Sequence, residues 1–233
     1  MKNKLYLIPA WLSVDAIHVI PSYVVEIINS LDEFVVENEK SARQFLKKAG
    51  YKKSLNNVML HLLNEHTNPN EILELLKPLL EGKNIGILSE AGCPAIADPG
   101  AELVKAAHRN NIEVIPLVGA SSVILSLMAS GLNGQSFSFA GYIPKERTAR
   151  IKALKEMEHI AITRNQTQIF IEAPYRNQHL LEDILQHCDQ HTMLCIACEI
   201  TGANEFIKTK DIKEWKKKVP DINKRPTIFL IGQ

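Results

Sequence analysis

The 233 residues are 45% hydrophobic and 23% charged, the balance of a globular chain that buries a core and can divide into two ordinary domains. A formal net charge of +1 excludes a global basic field that would draw the chain onto nucleic acid, so any RNA contact has to be a local patch. Cys93, Cys188, Cys195 and Cys198 are too few for a disulfide framework, no apolar run is long enough to span a membrane, and no signal-peptide pattern precedes Leu5-Tyr6-Leu7-Ile8, so the expected compartment is the cytoplasm.

Taken in chain order, the first half alternates strand and helix patterns. Residues 5–9 predict a strand, 23–29 a helix, 33–37 a strand, 40–49 a helix and 58–63 a strand. Ile72, Leu75, Leu76 and Leu79 then recur at i, i+3, i+4 and i+7, the apolar stripe of a helix packed on a sheet. Gly82-Lys83-Asn84 ends it, and residues 85–89 form the next strand. After an irregular loop come a helix over 101–109 and a strand over 114–118. Repeated units of this length argue for a mostly parallel sheet with helices on its faces.

The second half changes rhythm. A helix over 120–130 leads to Phe137 and Phe139, which alternate with serines as in a half-exposed strand. A charged helix over 146–158, a strand over 168–171 and a helix carrying Leu180, Leu181, Ile184 and Leu185 follow. Strands at 193–198, 205–210 and 227–231 then come with one short helix among them, which suggests a mixed or antiparallel sheet. Domains are therefore expected over residues 1–117 and 118–233.

Residues 89–100, Ser-Glu-Ala-Gly-Cys-Pro-Ala-Ile-Ala-Asp-Pro-Gly, carry the most chemistry. They follow a predicted buried strand and precede a helix, the place where ligands bind in open α/β sheets. Gly92 and Gly100 permit close backbone approach or positive φ, Pro94 and Pro99 stiffen the loop, and Asp98 suits an N-cap with Pro99 at the first helical position. Spacing alone leaves a tight capped turn and a ligand loop both open. A phosphate loop has no support, since neither G-x-G-x-x-G nor the Walker pattern is present.

This stretch resembles the Ser-Asp-Ala-Gly-Thr-Pro-x-x-Ser-Asp-Pro-Gly loop of the ribosomal RNA small-subunit methyltransferase I family, within the tetrapyrrole methylase superfamily. Glu90 stands for the Asp and Cys93 for the Thr. Further blocks follow in order: Pro116 to Ser122, Ala129-Ser130-Gly131-Leu132, Phe139-Ala140-Gly141-Tyr142-Ile143-Pro144, Phe170-Ile171-Glu172-Ala173-Pro174-Tyr175-Arg176, and Cys198-Glu199-Ile200-Thr201 with Glu205-Phe206. The N-terminal part departs from the pattern. Pro9-Ala10-Trp11-Leu12-Ser13 replaces Pro-Ile-Gly-Asn-Leu, and Glu37-Asn38-Glu39-Lys40-Ser41-Ala42-Arg43 matches Glu-Asp-Thr-Arg loosely, while Asn64-Glu65-His66-Thr67 is similar to a His-Glu-His segment. These departures bear on the substrate rather than the cofactor, as in a divergent branch.

The resemblance implies a two-domain α/β fold of the tetrapyrrole-methylase type, a mostly parallel N-terminal sheet and a mixed C-terminal one, with S-adenosylmethionine in the cleft between them. It implies cofactor contacts at Pro9, Gly92, Cys93, Pro94, Ile96, Ser121, Ser122, Ile171, Ala197 and Thr227, no metal, and a homodimer. The implied reaction is methylation of a ribose 2′-hydroxyl in small-subunit ribosomal RNA. A tetrapyrrole or other small-molecule acceptor, and a non-catalytic cofactor-binding protein, are the competing functions. A ribose hydroxyl benefits from a general base, and Glu90 and Glu199, both at predicted strand ends, are the candidates. Glu172 is either a third or the structural partner of Arg176. Ser121 and Ser122 as helix caps, and Ile171 and Ala197 as plain core, remain the bland alternatives.

Cys195-x-x-Cys198 is not read as a metal site, because residues three apart on a strand point to opposite faces. His187 and His191 are expected on the surface at a helix end. An RNA patch would draw on Arg43, Lys47 and Lys48, and on Lys145, Arg147 and Arg150. Lys213, Lys216, Lys217, Lys218, Lys224 and Arg225 read as a solvated face diluted by Asp211, Glu214 and Asp221.

Overall fold

The computed structural model describes residues 3–64 and 67–233. The chain divides into two compact units, Met1–Ser121 and Ser122–Gln233, so residues 118–121 group with the first.

In the first unit, β1 (Lys4–Ile8), α1 (Ser22–Ser30), β2 (Glu33–Val36), α2 (Glu39–Lys48), β3 (Met59–Leu62), α3 (Pro69–Leu80), β4 (Ile85–Leu88), α4 (Gly100–Arg109) and β5 (Glu113–Pro116) alternate as the periodicity requires. The five strands pair in the order β3-β2-β4-β1-β5, all parallel. β2 and β4 are buried along their whole length, the continuous apolar run of central parallel strands, whereas β3 and β5 at the edges are partly exposed. One face packs under α1 and α2 through Val24, Ile28, Phe45 and Leu46 against Ile8, Phe34 and Leu88. The other packs under α3 and α4 through Leu76, Leu79, Leu103 and Ala107 against Leu5, Val35, Ile85 and Ile87. Gly86 makes the first face possible, since a Cβ there would lie 2.5 Å from Ile8 Cδ1 and 2.9 Å from Phe34 Cδ1. Glu33 is buried in β2 because His61 Nε2, at 3.1 Å, and Lys83 Nζ, at 2.6 Å, both reach its carboxylate.

The second unit contains α5 (Ser122–Ser130), β6 (Phe137–Tyr142), α6 (Arg147–Arg164), β7 (Thr167–Ile171), α7 (Asn177–His187), β8 (Met193–Cys198), β9 (Phe206–Asp211), α8 (Ile212–Lys217) and β10 (Thr227–Gly232). Its sheet runs β6-β7-β10-β8-β9, with β6 and β7 parallel and the other pairs antiparallel, the mixed sheet expected from consecutive strands. Phe170, Leu194, Ile196, Cys198, Phe229 and Ile231 face α6, α7 and α8, and α5 packs on β8, β9 and β10 from the other side. α6 runs six residues beyond its expected end and stops at Asn165, which takes the left-handed conformation (φ 47°) that asparagine tolerates at a helix C-terminus. α5 starts two residues later than expected, at Ser122.

Arg150, itself buried, and Arg147 clamp Asp183 at 2.6–3.0 Å, tying α6 to α7. Both arginines are candidates for phosphate contact by sequence, and this network occupies them instead. Cys195 and Cys198 lie on opposite faces of β8, Cys198 in the helix-covered core. His191 is exposed, but His187 is half-buried with a buried Nε2, so it is not the surface residue expected.

Candidate functional site

The carboxyl ends of β1, β2 and β4, adjacent in the sheet, carry the residues of interest in the first unit. After β1 the chain passes through Pro9 and Ala10. Ala10 N–H donates to Gly92 O at 2.9 Å, joining the end of β1 to the loop after β4 in a short antiparallel bridge. Pro9 packs on Gly119 so closely that a Cβ at 119 would fall 2.3 Å from Pro9 Cβ. Gly92 takes φ 73°, and Cys93 Sγ donates to Ala120 O at 3.5 Å. Burial raises the Cys93 thiol pKa, keeping it protonated as that donor. Pro9, Ala10, Gly92, Cys93, Gly119 and Ala120 therefore meet around one backbone junction.

The loop then turns back on itself. Ala95 and Ala97 both sit in the left-handed region, at φ 65° and 58°, a conformation costing an alanine about 1–2 kcal/mol. Asp98 holds it there, its Oδ1 accepting the Ala95 N–H at 2.7 Å and the Gly100 N–H at 2.8 Å. The helix N-cap is Pro99, and α4 begins at Gly100, one residue later than a capping Asp98 would give. Gly100 is needed for this clamp, since a Cβ there would lie 3.0 Å from Asp98 Oδ1 and 3.3 Å from Ala95 N. Burial raises the Asp98 carboxyl above its ordinary value, against the pull of the Gly100, Ala95 and Ser89 hydrogen bonds. Ile96, at the tip, is 52% exposed, a large apolar side chain left in the open by a rigid loop.

Beside this loop is a cavity of about 170 Å³, walled by Trp11, Phe45, Glu37, Asn38, Gln44 and Glu90 among others. Trp11 packs on Phe45 with ring centroids 4.8 Å apart, and both are buried. Asn38 caps α2 through the Lys40 and Ser41 N–H groups. Ser41 Oγ donates to the Glu90 carboxylate, and Glu90 N–H donates to Glu37 Oε1 at 3.3 Å. Burial pushes the Glu37 carboxyl up. The Glu90 N–H bond opposes that shift, and the charges of Asp98 and Glu90 reinforce it. Glu37 matters as much as Glu90 here, although the sequence offered it only as part of a loose motif. The available signal was its place, directly after the apolar run Phe34-Val35-Val36, which Glu90 repeats two residues after its own strand.

In the second unit, Ile171, Ala197 and Thr227 gather at one end of the sheet. Ile228 pairs with Ile171 on one side and Ala197 on the other, which puts those two side chains on one face, while Thr227 opposes Cys198. Ala197 and Thr227 are buried and Ile171 is half-buried. Ser122 opens α5. Glu199 follows β8 in left-handed backbone (φ 50°), and Arg225 spans both its oxygens at 3.1 Å. A carboxylate so engaged anchors its loop. Glu172 pairs with Arg176. Among the described residues no group of three or more His, Cys, Asp or Glu is arranged for a metal, and no helix is long and apolar enough to cross a membrane. Within the segment similar to a His-Glu-His motif, Glu65 and His66 lie outside the described residues.

A parallel α/β unit with a clamped loop at the carboxyl end of β4, followed by a mixed-sheet unit, defines a class of ligand-binding α/β protein. The family model for Tetrapyrrole (Corrin/Porphyrin) Methylases matches residues 15–215, and the chain belongs to that family. Ribosomal RNA small subunit methyltransferase I of Escherichia coli O157:H7 is 30% identical over 233 residues, 99% of this chain and 78% of that protein. The protein of the same name from Halalkalibacterium halodurans is 38% identical over 149 residues, 62% of this chain and 50% of that protein. That from Buchnera aphidicola subsp. Acyrthosiphon pisum is 32% identical over 195 residues, 82% and 66%. The chain thus spans half to about four-fifths of these relatives' lengths. In fold it is similar to the methyltransferase CobJ (TM-score 0.65, 15% identity, 100% of this chain and 95% of that one) and to the cobalt precorrin-4 methyltransferase CbiF (TM-score 0.61, 13% identity, 98% and 94%).

Proposed function

We propose that the protein is an S-adenosylmethionine-dependent methyltransferase acting on a ribose 2′-hydroxyl of small-subunit ribosomal RNA. The observation that carries this reading is the loop of residues 91–98, with Gly92, Ala95 and Ala97 in left-handed backbone, an Asp98 clamp, and a junction with Ala10 and Ala120. Its small residues fit close contact with a cofactor through backbone groups. The relatives named for ribosomal RNA support the choice of acceptor.

S-Adenosylmethionine supplies a methyl group on a cationic sulfur. The chain's own part is orientation and proton removal. Holding acceptor and donor in line is worth roughly 7–11 kcal/mol in such reactions. Gly92, Cys93, Pro94, Ile96, Pro9 and Ser121 are the residues of the first unit that would hold the cofactor. The Glu90 carboxylate, oriented by Ser41 Oγ, would take the proton of the acceptor hydroxyl as the methyl group is transferred. Glu199, bound by Arg225, serves the loop instead.

The RNA is held by a basic end of the second unit. Between residues 205 and 225, eight basic residues face four acidic ones in a chain whose net charge is +1. Lys213, Lys216, Lys217 and Lys218 there are exposed. On the other candidate patch, Arg43 donates to Leu55 O and Lys48 to Val14 O. A homodimer in the cytoplasm completes the reading by the same likeness.

Calorimetry with S-adenosylmethionine and its demethylated product tests it first. One site per chain, indifferent to chelator, is expected, and no binding at millimolar cofactor overturns it. Transfer of a labelled methyl group to unmodified ribosomal RNA or small subunits, with none to a tetrapyrrole panel, fixes the acceptor. The opposite pattern would move the assignment to a small molecule.

A further inference from the structure

In the second unit, between β7 and α7, a single turn of 3-10 helix, Pro174–Arg176, holds Tyr175 in the open, 62% exposed. The turn itself is pinned. Arg176 N–H donates to Ala173 O at 2.8 Å, and Lys224 N–H donates to Pro174 O at 3.0 Å. The Arg176 guanidinium is tied to the buried Glu172 carboxylate, and Asn177 Nδ2, at the head of α7, donates to Arg225 O at 2.6 Å. Arg176 also stands over the Tyr175 ring, 5.3 Å from its centroid, within cation–π range. One face of the ring is thus backed by a fixed arginine, while most of the side chain stays in water. The charge around it is divided. Arg176 is matched by Glu172, and Arg225 by Glu199. Lys224 is exposed, lies beside Tyr175 across the hydrogen bond to Pro174, and holds left-handed backbone (φ 58°) there. It belongs to the basic stretch that includes Lys213, Lys216, Lys217 and Lys218. An aromatic face and a cation side by side on a rigid turn complement a base and its phosphate.

We propose that Tyr175 is a stacking platform for an unpaired base of the RNA, and that Lys224 meets the phosphate next to that base. The inference rests on the RNA reading and adds that the RNA is single-stranded where the second unit holds it. A base inside a duplex is stacked on its neighbours and offers no open face to a protruding ring, whereas an unpaired base does. Stacking is tolerant of sequence because every base has a π face, so this surface grips without selecting. The two arginines nearby are spent on carboxylates and act as scaffolding, which leaves the phosphate to the lysine. Because the turn is already ordered, binding does not have to fix a loop first.

The test is direct binding, independent of methyl transfer, read by anisotropy of labelled RNA. The probes are a short single strand of mixed sequence and a duplex of the same length. The parent chain should prefer the single strand. Tyr175→Ala should weaken that strand by about tenfold or more, the scale of one stacked base, and leave the duplex within about twofold. Tyr175→Phe keeps the ring and should stay within about twofold of the parent on both. Lys224→Gln should lower the slope of log affinity against log salt by about 0.7, one phosphate of a single strand, while Tyr175→Ala leaves the slope unchanged. Photocrosslinking of an iodouridine-substituted strand to the parent chain should mark the peptide that carries Tyr175, and needs no variant to fold. Equal losses on strand and duplex in Tyr175→Ala, a Tyr175→Phe variant as weak as Tyr175→Ala, or a crosslink elsewhere overturns the proposal. Unchanged RNA affinity in Tyr175→Ala does so too, and would leave the ring to a protein partner. Cofactor calorimetry on the same preparations separates the two levels. RNA and cofactor binding without a role for Tyr175 sinks the platform alone, and no affinity for RNA in either form sinks the RNA reading with it.

Discussion

Replacing Asp98 isolates what makes the loop a site. Its Oδ1 accepts two backbone N–H groups at 2.7 and 2.8 Å, and these bonds hold Ala95, and through it Ala97, in left-handed backbone. Hydrogen bonds to a charged acceptor contribute about 1.5–3 kcal/mol each. Burial of the carboxylate works against them strongly enough to leave its pKa raised. Asp98→Ala is therefore expected to cost about 2 kcal/mol, less than the roughly 3–6 kcal/mol of two such bonds because the buried charge offsets part of it, or roughly 4–8 °C in Tm for a chain this long. Asp98→Asn keeps the acceptor oxygen and removes the desolvated charge. Because the raised pKa means the ionised form is held less well folded than unfolded, this variant should stay within about 0.5 kcal/mol of the parent at neutral pH. Urea denaturation measures both, and amide hydrogen exchange adds a local reading. In Asp98→Ala the Ala95 and Gly100 amides should lose protection while those of β4 keep theirs. Unchanged protection at 95 and 100, or an Asp98→Asn variant as damaged as Asp98→Ala, would refute the clamp.

Asp183→Ala leaves Arg150 buried without its counter-charge and should lower stability by about 3–5 kcal/mol, seen as a drop in denaturation midpoint. Burial raises the Glu33 carboxyl pKa, but hydrogen bonds and charge from Lys83 and His61 outweigh it and hold the carboxyl below its ordinary value. Its contribution is present above the ordinary carboxylate range and is lost as pH falls through it, so Glu33→Gln should flatten stability between about pH 5 and pH 3; parallel curves would count against the network. Replacing Lys213, Lys216 and Lys217 together by Glu should reduce the slope of log RNA affinity against log salt by about 0.7–0.9 for each phosphate no longer engaged, whereas an unchanged slope would place the RNA elsewhere.

The alternation of β1 to β5 was legible because central parallel strands are mostly apolar and their helices carry a 3.6-residue stripe. The loop was legible through Gly92, Pro94, Asp98 and Gly100, but its roles were only half right. Gly92 does take positive φ. Gly100 makes room for the protein's own Asp98 rather than for a ligand, and a branched side chain at 92 would first meet Leu12 Cδ2 at 3.2 Å. A valine at position 92 would therefore be strained whether or not a ligand lies beside it. Nothing in an alanine announces left-handed backbone, so Ala95 and Ala97 could not be foreseen. Glu37 and Glu90 meet because β2 and β4 are neighbours, a strand order that periodicity does not encode. Glu199 looked like an available base because Arg225, its partner, lies a strand and a helix further along the sequence.

The order of strands also sets a timetable. In the second unit the middle strand, β10, is the last of its five in chain order, and Ile228 has to find both Ile171 and Ala197. In the first, Leu5 waits for Ile85 and Val114. Neither sheet can be completed from neighbouring segments alone, so both are slow to finish by the ordinary link between non-local pairing and rate. Until β10 arrives, β7 and β8 each expose an apolar strand with a free edge, the kind of surface that sticks to another copy. The yield of native protein should therefore depend more on dilution and on holdase chaperones during refolding than its final stability would suggest.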